Sequence, residues 1–173
     1  FHQIIRKVDS VGRVTIYTLN DAGLITDFTV TDPNAPDGQP TTSTQHLDYG
    51  VSGLVELTRD ARGNEVDYEY DSIGRLTSVT YINGADSLER HTTRYEYDNP
   101  DDTPDLTGNV RAIIDANGNR IEFDYDDANQ LIETRYFTID ELTGEPIIYR
   151  EKTRYDADGN AVQTMNRIGV LTN

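Results

Sequence analysis

An aromatic-x-aromatic triplet followed by an Asp-x-x-Gly turn recurs along this chain in a fixed phase. That recurrence restricts the fold to a stack of similar short units. The clearest copy reads Asp60-Ala-Arg-Gly63-Asn64, then Tyr68-Glu69-Tyr70-Asp71-Ser-Ile-Gly74-Arg75-Leu76. A second copy runs from Asp115-Ala-Asn-Gly118-Asn119 to Phe123-Asp124-Tyr125-Asp126-Asp-Ala-Asn129-Gln130-Leu131. A weaker one in the same phase holds Asp9, Gly12, Tyr17, Leu19, Asn20 and Gly23. Gly12 to Gly63 is 51 residues, Gly63 to Gly118 is 55, and Gly118 to Gly169 is 51. The expected organisation is one repeat array over 1–173: unit 1 at 12–62, unit 2 at 63–117, unit 3 at 118–168, with partial flanking repeats at 1–11 and 169–173. Each unit repeats the signal, at Tyr49 to Gly53, at Tyr95 and Tyr97 through Asp98 to Gly108, and at Tyr155, Asp156 and Gly159.

Large side chains at i and i+2 share one face of a strand, with the charge between them on the other. Asp at the first turn position accepts N–H groups from residues that follow, and Gly at the fourth adopts the backbone conformation that reverses the chain. Each Asp-x-x-Gly is therefore a hairpin signal, and Asn129 in place of Gly fits it, because Asn enters the left-handed region more readily than other side chains. The pattern predicts an all-β fold of tandem four-stranded antiparallel units in a twisted or spiralling sheet, with about twelve strands. In unit 1 these fall near 13–19, 24–31, 43–49 and 54–59. Helical stripes of period 3.6 are absent. Three loops broken by Pro or Gly, 32–40, 82–86 and 139–146, are expected to project from one rim and to tolerate length changes.

Composition narrows the function classes. The chain has 31 acidic against 15 basic residues, a formal charge of −16 and a sequence pI near 4.3. Such a balance repels phosphate backbones and anionic lipid headgroups, so neither nucleic acid nor a membrane surface is an expected partner. No cysteine is present, which excludes a disulfide framework and a thiolate metal site. No apolar run reaches the ~20 residues that span a bilayer. The chain opens at Phe1 and reads as a piece of something longer. With 173 residues it has the length to exclude most of its own apolar surface from water.

The run Y-x-Y-D-x-x-G-R-L, written by Tyr68 to Leu76, resembles the YD-repeat or RHS-repeat family, and the weaker copies extend that resemblance over nearly all of the chain. The resemblance implies a long β-sheet that spirals into a hollow shell, as in bacterial Rhs and insecticidal toxin-complex proteins and in animal teneurins. It further implies a secreted or cell-surface location, and an enclosed cargo domain that in bacteria is a C-terminal toxin. The paired D-P-x-G aspartates with which bacterial members cleave themselves are absent from these residues, and so is a variable cargo domain. Neither autoproteolysis nor toxicity is carried over.

Candidate sites are few. His2, His46 and His91 have no second His or Cys at ligand spacing, and the expected strands bring no evident catalytic partner to them. No G-x-S-x-G, Walker loop or H-E-x-x-H occurs, so no enzyme is expected. Asp98, Asp101, Asp102 and Asp105 offer the hard oxygen ligands that calcium prefers, yet Pro100 and Pro104 equally explain a rigid solvated loop. Asp156 to Asn160 is calcium-like in composition, and turn chemistry suffices for it. The tyrosines form a sugar-stacking platform if exposed, but their fixed phase fits packing between neighbouring strands better. The expected function is a non-catalytic wall segment without a resident cofactor, calcium aside. Its partners would be the neighbouring repeats, an enclosed domain, and further copies at unpaired edges. The competing reading is an adhesion module for a glycan or a surface protein.

Overall fold

The computed structural model describes residues 4–36, 42–97 and 108–171, and all regular structure in them is β-strand. The chain divides into two compact units, Phe1–His91 and Thr92–Asn173. The first contains β1 (Ile4–Val8), β2 (Val14–Leu19), β3 (Ile25–Thr31), β4 (Thr42–Tyr49), β5 (Val55–Arg59), β6 (Glu65–Tyr70) and β7 (Leu76–Ile82). The division falls within β8 (Arg90–Glu96). The second unit continues with β9 (Ala112–Ile114), β10 (Arg120–Tyr125), β11 (Leu131–Ile139), β12 (Pro146–Tyr155) and β13 (Ala161–Leu171). Within each unit every strand pairs antiparallel with the next one in the chain. β2 to β5 lie within a residue of the expected strands, and β1 in the flanking segment brings the described strands to thirteen.

The corners explain why these residues form a meander. Gly23, Gly53, Gly74 and Gly159 adopt φ between 78° and 87°, and Asn129 stands in the same left-handed region at φ 60°. In each case the N–H of this fourth residue donates to the carbonyl of the first, at 2.9–3.1 Å. The pairing register then shifts by one residue beside the corner, as at Thr18/Leu19, Glu69/Tyr70 and Asp124/Tyr125. This is a type I turn followed by a bulge, which turns a strand back with matching twist.

Alternation sorts each sheet into two faces. In the first unit Tyr17 opposes Phe28, Val66 opposes Tyr81 and Tyr68 opposes Val79 on one face, while Asp67 with Thr80 and Glu69 with Ser78 occupy the other. In the second, Ile121, Tyr136 and Tyr149 line up opposite one another, and Glu122, Arg135 and Arg150 form the reverse face. The length expectation of a well-covered core is not met. Among the described residues only Leu19, Ile82 and Ala112 are buried apolar side chains. A single-layer sheet has no second layer to cover it, so its aromatic face stays half-buried.

One loop is fixed by close backbone contact. Gly84, between β7 and β8, donates its N–H to Asn64 Oδ1 at 3.0 Å, and a Cβ there would stand 2.3 Å from the Gly63 carbonyl carbon. Gly84→Ala is expected to cost about 2 kcal/mol, because backbone on both sides must move. Gly23→Ala, with φ +80° and no atom within 4 Å of the new methyl, is expected to cost about 1 kcal/mol from its backbone conformation alone. Urea denaturation of both variants measures the difference, and equal losses would contradict the close-approach reading.

Candidate functional site

The structure concentrates its polar chemistry at the strand corners. Asp71 Oδ1 accepts the N–H groups of Ile73 at 3.0 Å and Arg75 at 2.8 Å, while Oδ2 accepts Arg75 Nε at 2.6 Å. Asp9 repeats this with Val11 and Arg13. Asp60 and Asp115 do so with an Asn in place of the Arg, at Asn64 and Asn119. Asp126 and Asp156 accept the same pair of N–H groups, and Asn20 does so with a neutral carbonyl oxygen. The side chain four residues on thus closes the corner from outside, which gives the Arg of Y-D-x-x-G-R a physical task.

These contacts hold the carboxyls of Asp9, Asp60, Asp71, Asp115 and Asp156 below their ordinary range. For Asp9 the Arg13 side chain is the main cause; for Asp60 and Asp115 it is the Asn64 and Asn119 side chains. At Asp156, and at Asp140 between β11 and β12, which accepts the Leu142 and Thr143 N–H groups, backbone N–H groups dominate. At Asp71 burial opposes the shift, and the Arg75 N–H and side chain outweigh it.

The tyrosine before each corner has a separate role. Tyr70 donates its hydroxyl to the Val55 carbonyl at 2.9 Å, and Tyr49 donates to the Ile25 carbonyl at 2.7 Å. In the second unit Tyr125 donates to Val110 at 3.0 Å and Tyr155 to Leu131 at 3.0 Å. Ile25, Val55 and Leu131 start strands that leave the preceding corner, so those phenols tie one corner to its neighbour, and Val110 lies just before β9. Burial pushes the Tyr70 phenol upward, with Tyr68 and Glu56 adding to it, which keeps the donor protonated. Neighbouring corners touch elsewhere as well: Asn109 Nδ2 donates to Asn129 Oδ1 at 3.1 Å, and Asn34 Nδ2 to the Val11 carbonyl at 3.0 Å.

Two clusters on the polar faces were not visible in the sequence pattern. His46 on β4 lies between Asp27 of β3, 2.7 Å from Nδ1, and Asp48, 3.1 Å from Nε2. In the second unit Arg120 bridges Glu96 and Glu122, at 2.8 Å each. Arg135 contacts Asp124 and Glu122, and Glu133 faces Arg135, Arg150 and Lys152 at 3.8, 3.4 and 3.3 Å. Arg135 stands opposite Arg150 in register, and Asp124 opposite Glu133. Like charges so placed destabilise a sheet unless a diagonal neighbour neutralises them, which Glu133 and Arg135 do here.

Of the motif residues singled out above, Tyr68 and Phe123 are half-buried on their strands beside Val79 and Thr134. Tyr70, Tyr125 and Tyr155 form the ties, and Asp71, Gly74, Asp126, Asp156 and Gly159 build the corners. Tyr95 opposes Ile113 on β9, and Tyr97 follows β8 half-buried. Ring-to-ring contacts occur at Tyr17–Phe28 and Tyr81–His91. Tyr49, Tyr70, Tyr125 and Tyr155 each contribute a hydroxyl bond to a backbone carbonyl at, or just before, the start of another strand. Asp98, Asp101, Asp102 and Asp105 lie outside the described residues. Among the described residues, no group of three or more His, Asp or Glu is arranged to hold a metal ion. No helix among them is long and apolar enough to cross a membrane.

A group whose folded pKa is depressed contributes stability above its unfolded value, and that contribution is lost as pH falls through the folded one. The corner aspartates should therefore make the fold acid-labile below the ordinary carboxylate range, near 3.9. Relief of charge repulsion in a chain of formal charge −16 acts in the opposite direction. Circular dichroism followed from pH 7 to about pH 2 decides between them: loss of sheet signal below pH ~4 is expected, and a gain in thermal stability there would contradict the corner account.

Comparison with known proteins agrees with this geometry. The RHS repeat model matches residues 52–86 and 105–138, the segments that contain the Asp71 and Asp126 corners. No curated protein sequence matches the chain. Among solved structures, a TcdB2-TccC3-Cdc42 crystal structure is similar over 98% of this chain at 18% identity and a TM-score of 0.71. TcdB2-TccC3 without its hypervariable C-terminal region is similar over 94% at 18% identity and a TM-score of 0.72. A Photorhabdus luminescens Tc holotoxin pore is similar over 94% at 17% identity and 0.69. The chain spans only 8–9% of the length of the chains it matches. With its repeated corners, its antiparallel meander and both matched segments, this chain carries RHS repeats at residues 52–86 and 105–138 and shares its fold with the TcdB2-TccC3 structures.

Proposed function

We propose that the chain is a non-catalytic wall segment of a large secreted or surface RHS-repeat shell, which encloses another domain, in bacteria a C-terminal toxin. The observation that carries this reading is the direction of the polar contacts. At each corner the Asp, Tyr, Arg and Asn groups are directed at the same hairpin or at the next corner on the rim, as in Tyr70 to Val55 and Tyr155 to Leu131. Side chains used in this way extend a sheet repeat by repeat. The fold shared with the TcdB2-TccC3 structures supports the same assignment.

Enclosure is testable with the two faces of β12. Tyr149 belongs to the aromatic face and Lys152 to the charged one, and both side chains are exposed. The chain has no cysteine of its own, so Tyr149→Cys and Lys152→Cys give clean reporters. In the isolated chain both should react with a polyethylene-glycol maleimide. In the full-length protein that carries this chain, one should react and the other should be protected until denaturant opens the shell. Equal labelling of both faces in the intact protein would contradict enclosure and favour an open adhesion surface.

A further inference from the structure

We propose that Asp27, His46 and Asp48 form a proton-operated latch on the β3–β4 hairpin. The geometry requires two donors from one ring. Nδ1 reaches Asp27 on the neighbouring strand at 2.7 Å, and Nε2 reaches Asp48 on the same strand at 3.1 Å. Only the imidazolium carries a hydrogen on both nitrogens; the neutral ring keeps one and turns a lone pair toward the other carboxylate. Deprotonation thus removes one hydrogen bond and replaces it with repulsion.

The surrounding charges favour the latched form. Asp27 is the charged group facing His46 from β3, and Asp48 is its charged neighbour on β4. On β5 the register partner of His46 is Arg59, whose guanidinium is held by Glu65 of β6 at 2.6 Å. Two carboxylates therefore face the ring, while the cation opposite it on β5 is already paired with Glu65. The His46 pKa is raised above its ordinary value, chiefly by the Asp27 hydrogen bond, with burial opposing and Asp48 adding. A raised folded pKa means the contribution is complete below about 6.5 and is lost as pH climbs through the folded value.

The rest of this strand pair has no comparable charge. Thr29 with Thr44, at 3.0 Å, and Thr31 with Thr42, at 3.3 Å, join β3 to β4 through neutral hydroxyls. The ten residues between the strands, 32–41, contain no Asp-x-x-Gly sequence. Proton uptake at His46 therefore sets how firmly the β3–β4 pair is held: tight in acid, looser at neutral pH and above.

The test is an NMR titration of the imidazoles of the 173-residue chain, combined with amide hydrogen exchange corrected for intrinsic rates. His46 should titrate above the ordinary value of about 6.5. Protection of the β3–β4 amides should fall several-fold across that transition, while β6–β7 serves as an unaffected reference. His46→Gln should abolish the pH dependence. Asp48→Asn, which keeps a hydrogen-bonding side chain, should lower the titration point of His46 and shrink the change in protection, so the proposal is decided even if the first variant fails to fold. Titration at or below the ordinary value, or β3–β4 protection indifferent to pH, would overturn it.

Discussion

Each corner depends on one short acceptor that takes up two backbone N–H groups, and the sheets follow from that capture. Asp71 illustrates it: the 2.8–3.0 Å bonds to Ile73 and Arg75 hold the turn, Gly74 supplies the left-handed φ of 87°, and the resulting bulge sets which residues face each other on β6 and β7. Where the acceptor is Asn20 the same corner forms without charge. Where Gly50 replaces it, the backbone bonds of the turn persist, with Gly53 N–H to Gly50 carbonyl at 3.0 Å. The corner is a backbone structure that the carboxylate reinforces.

A sheet of one layer lacks the interior that ordinarily supplies most stability. With Leu19, Ile82 and Ala112 the only buried apolar side chains among the described residues, cohesion is shifted to the ladder and to the rims. The tyrosine ties act there, each satisfying a carbonyl at the strand's end that water would otherwise solvate. Because every tie reaches back to an earlier corner, each hairpin is stabilised by its predecessor, which is the nearest-neighbour logic of repeat proteins. The Glu133 and Arg135 network extends this to a polar face, where it converts unfavourable like-charge registers into a neutralised lattice.

The sequence was most legible where a tight corner fixes register. The Asp126 to Asn129 corner determines that Glu122 faces Arg135 and Phe123 faces Thr134, so even part of the ion-pair lattice was readable in principle. Strands β2 to β5 were placed nearly to the residue for the same reason. The pairing of Asp27 with His46 was not readable, because the ten residues between β3 and β4 contain no Asp-x-x-Gly sequence to select a register. The tyrosine hydroxyl ties were equally hidden. Alternation reports which face a ring occupies and says nothing of a bond from its tip to a carbonyl on another strand. Chain length misled on the core, since it bounds how much surface can be covered and does not decide whether a second layer exists.

The central claim is that rim ties, rather than a core, hold these sheets together, and it is tested most directly by removing only the hydroxyls. Tyr49, Tyr70, Tyr125 and Tyr155 changed together to Phe keep every ring and lose four hydrogen bonds to backbone carbonyls. At about 1 kcal/mol for each bond, urea denaturation should show a loss of about 3–4 kcal/mol. Tyr68→Phe, whose hydroxyl ties no corner, serves as the control and should be close to neutral. A quadruple variant as stable as the parent chain would contradict the account.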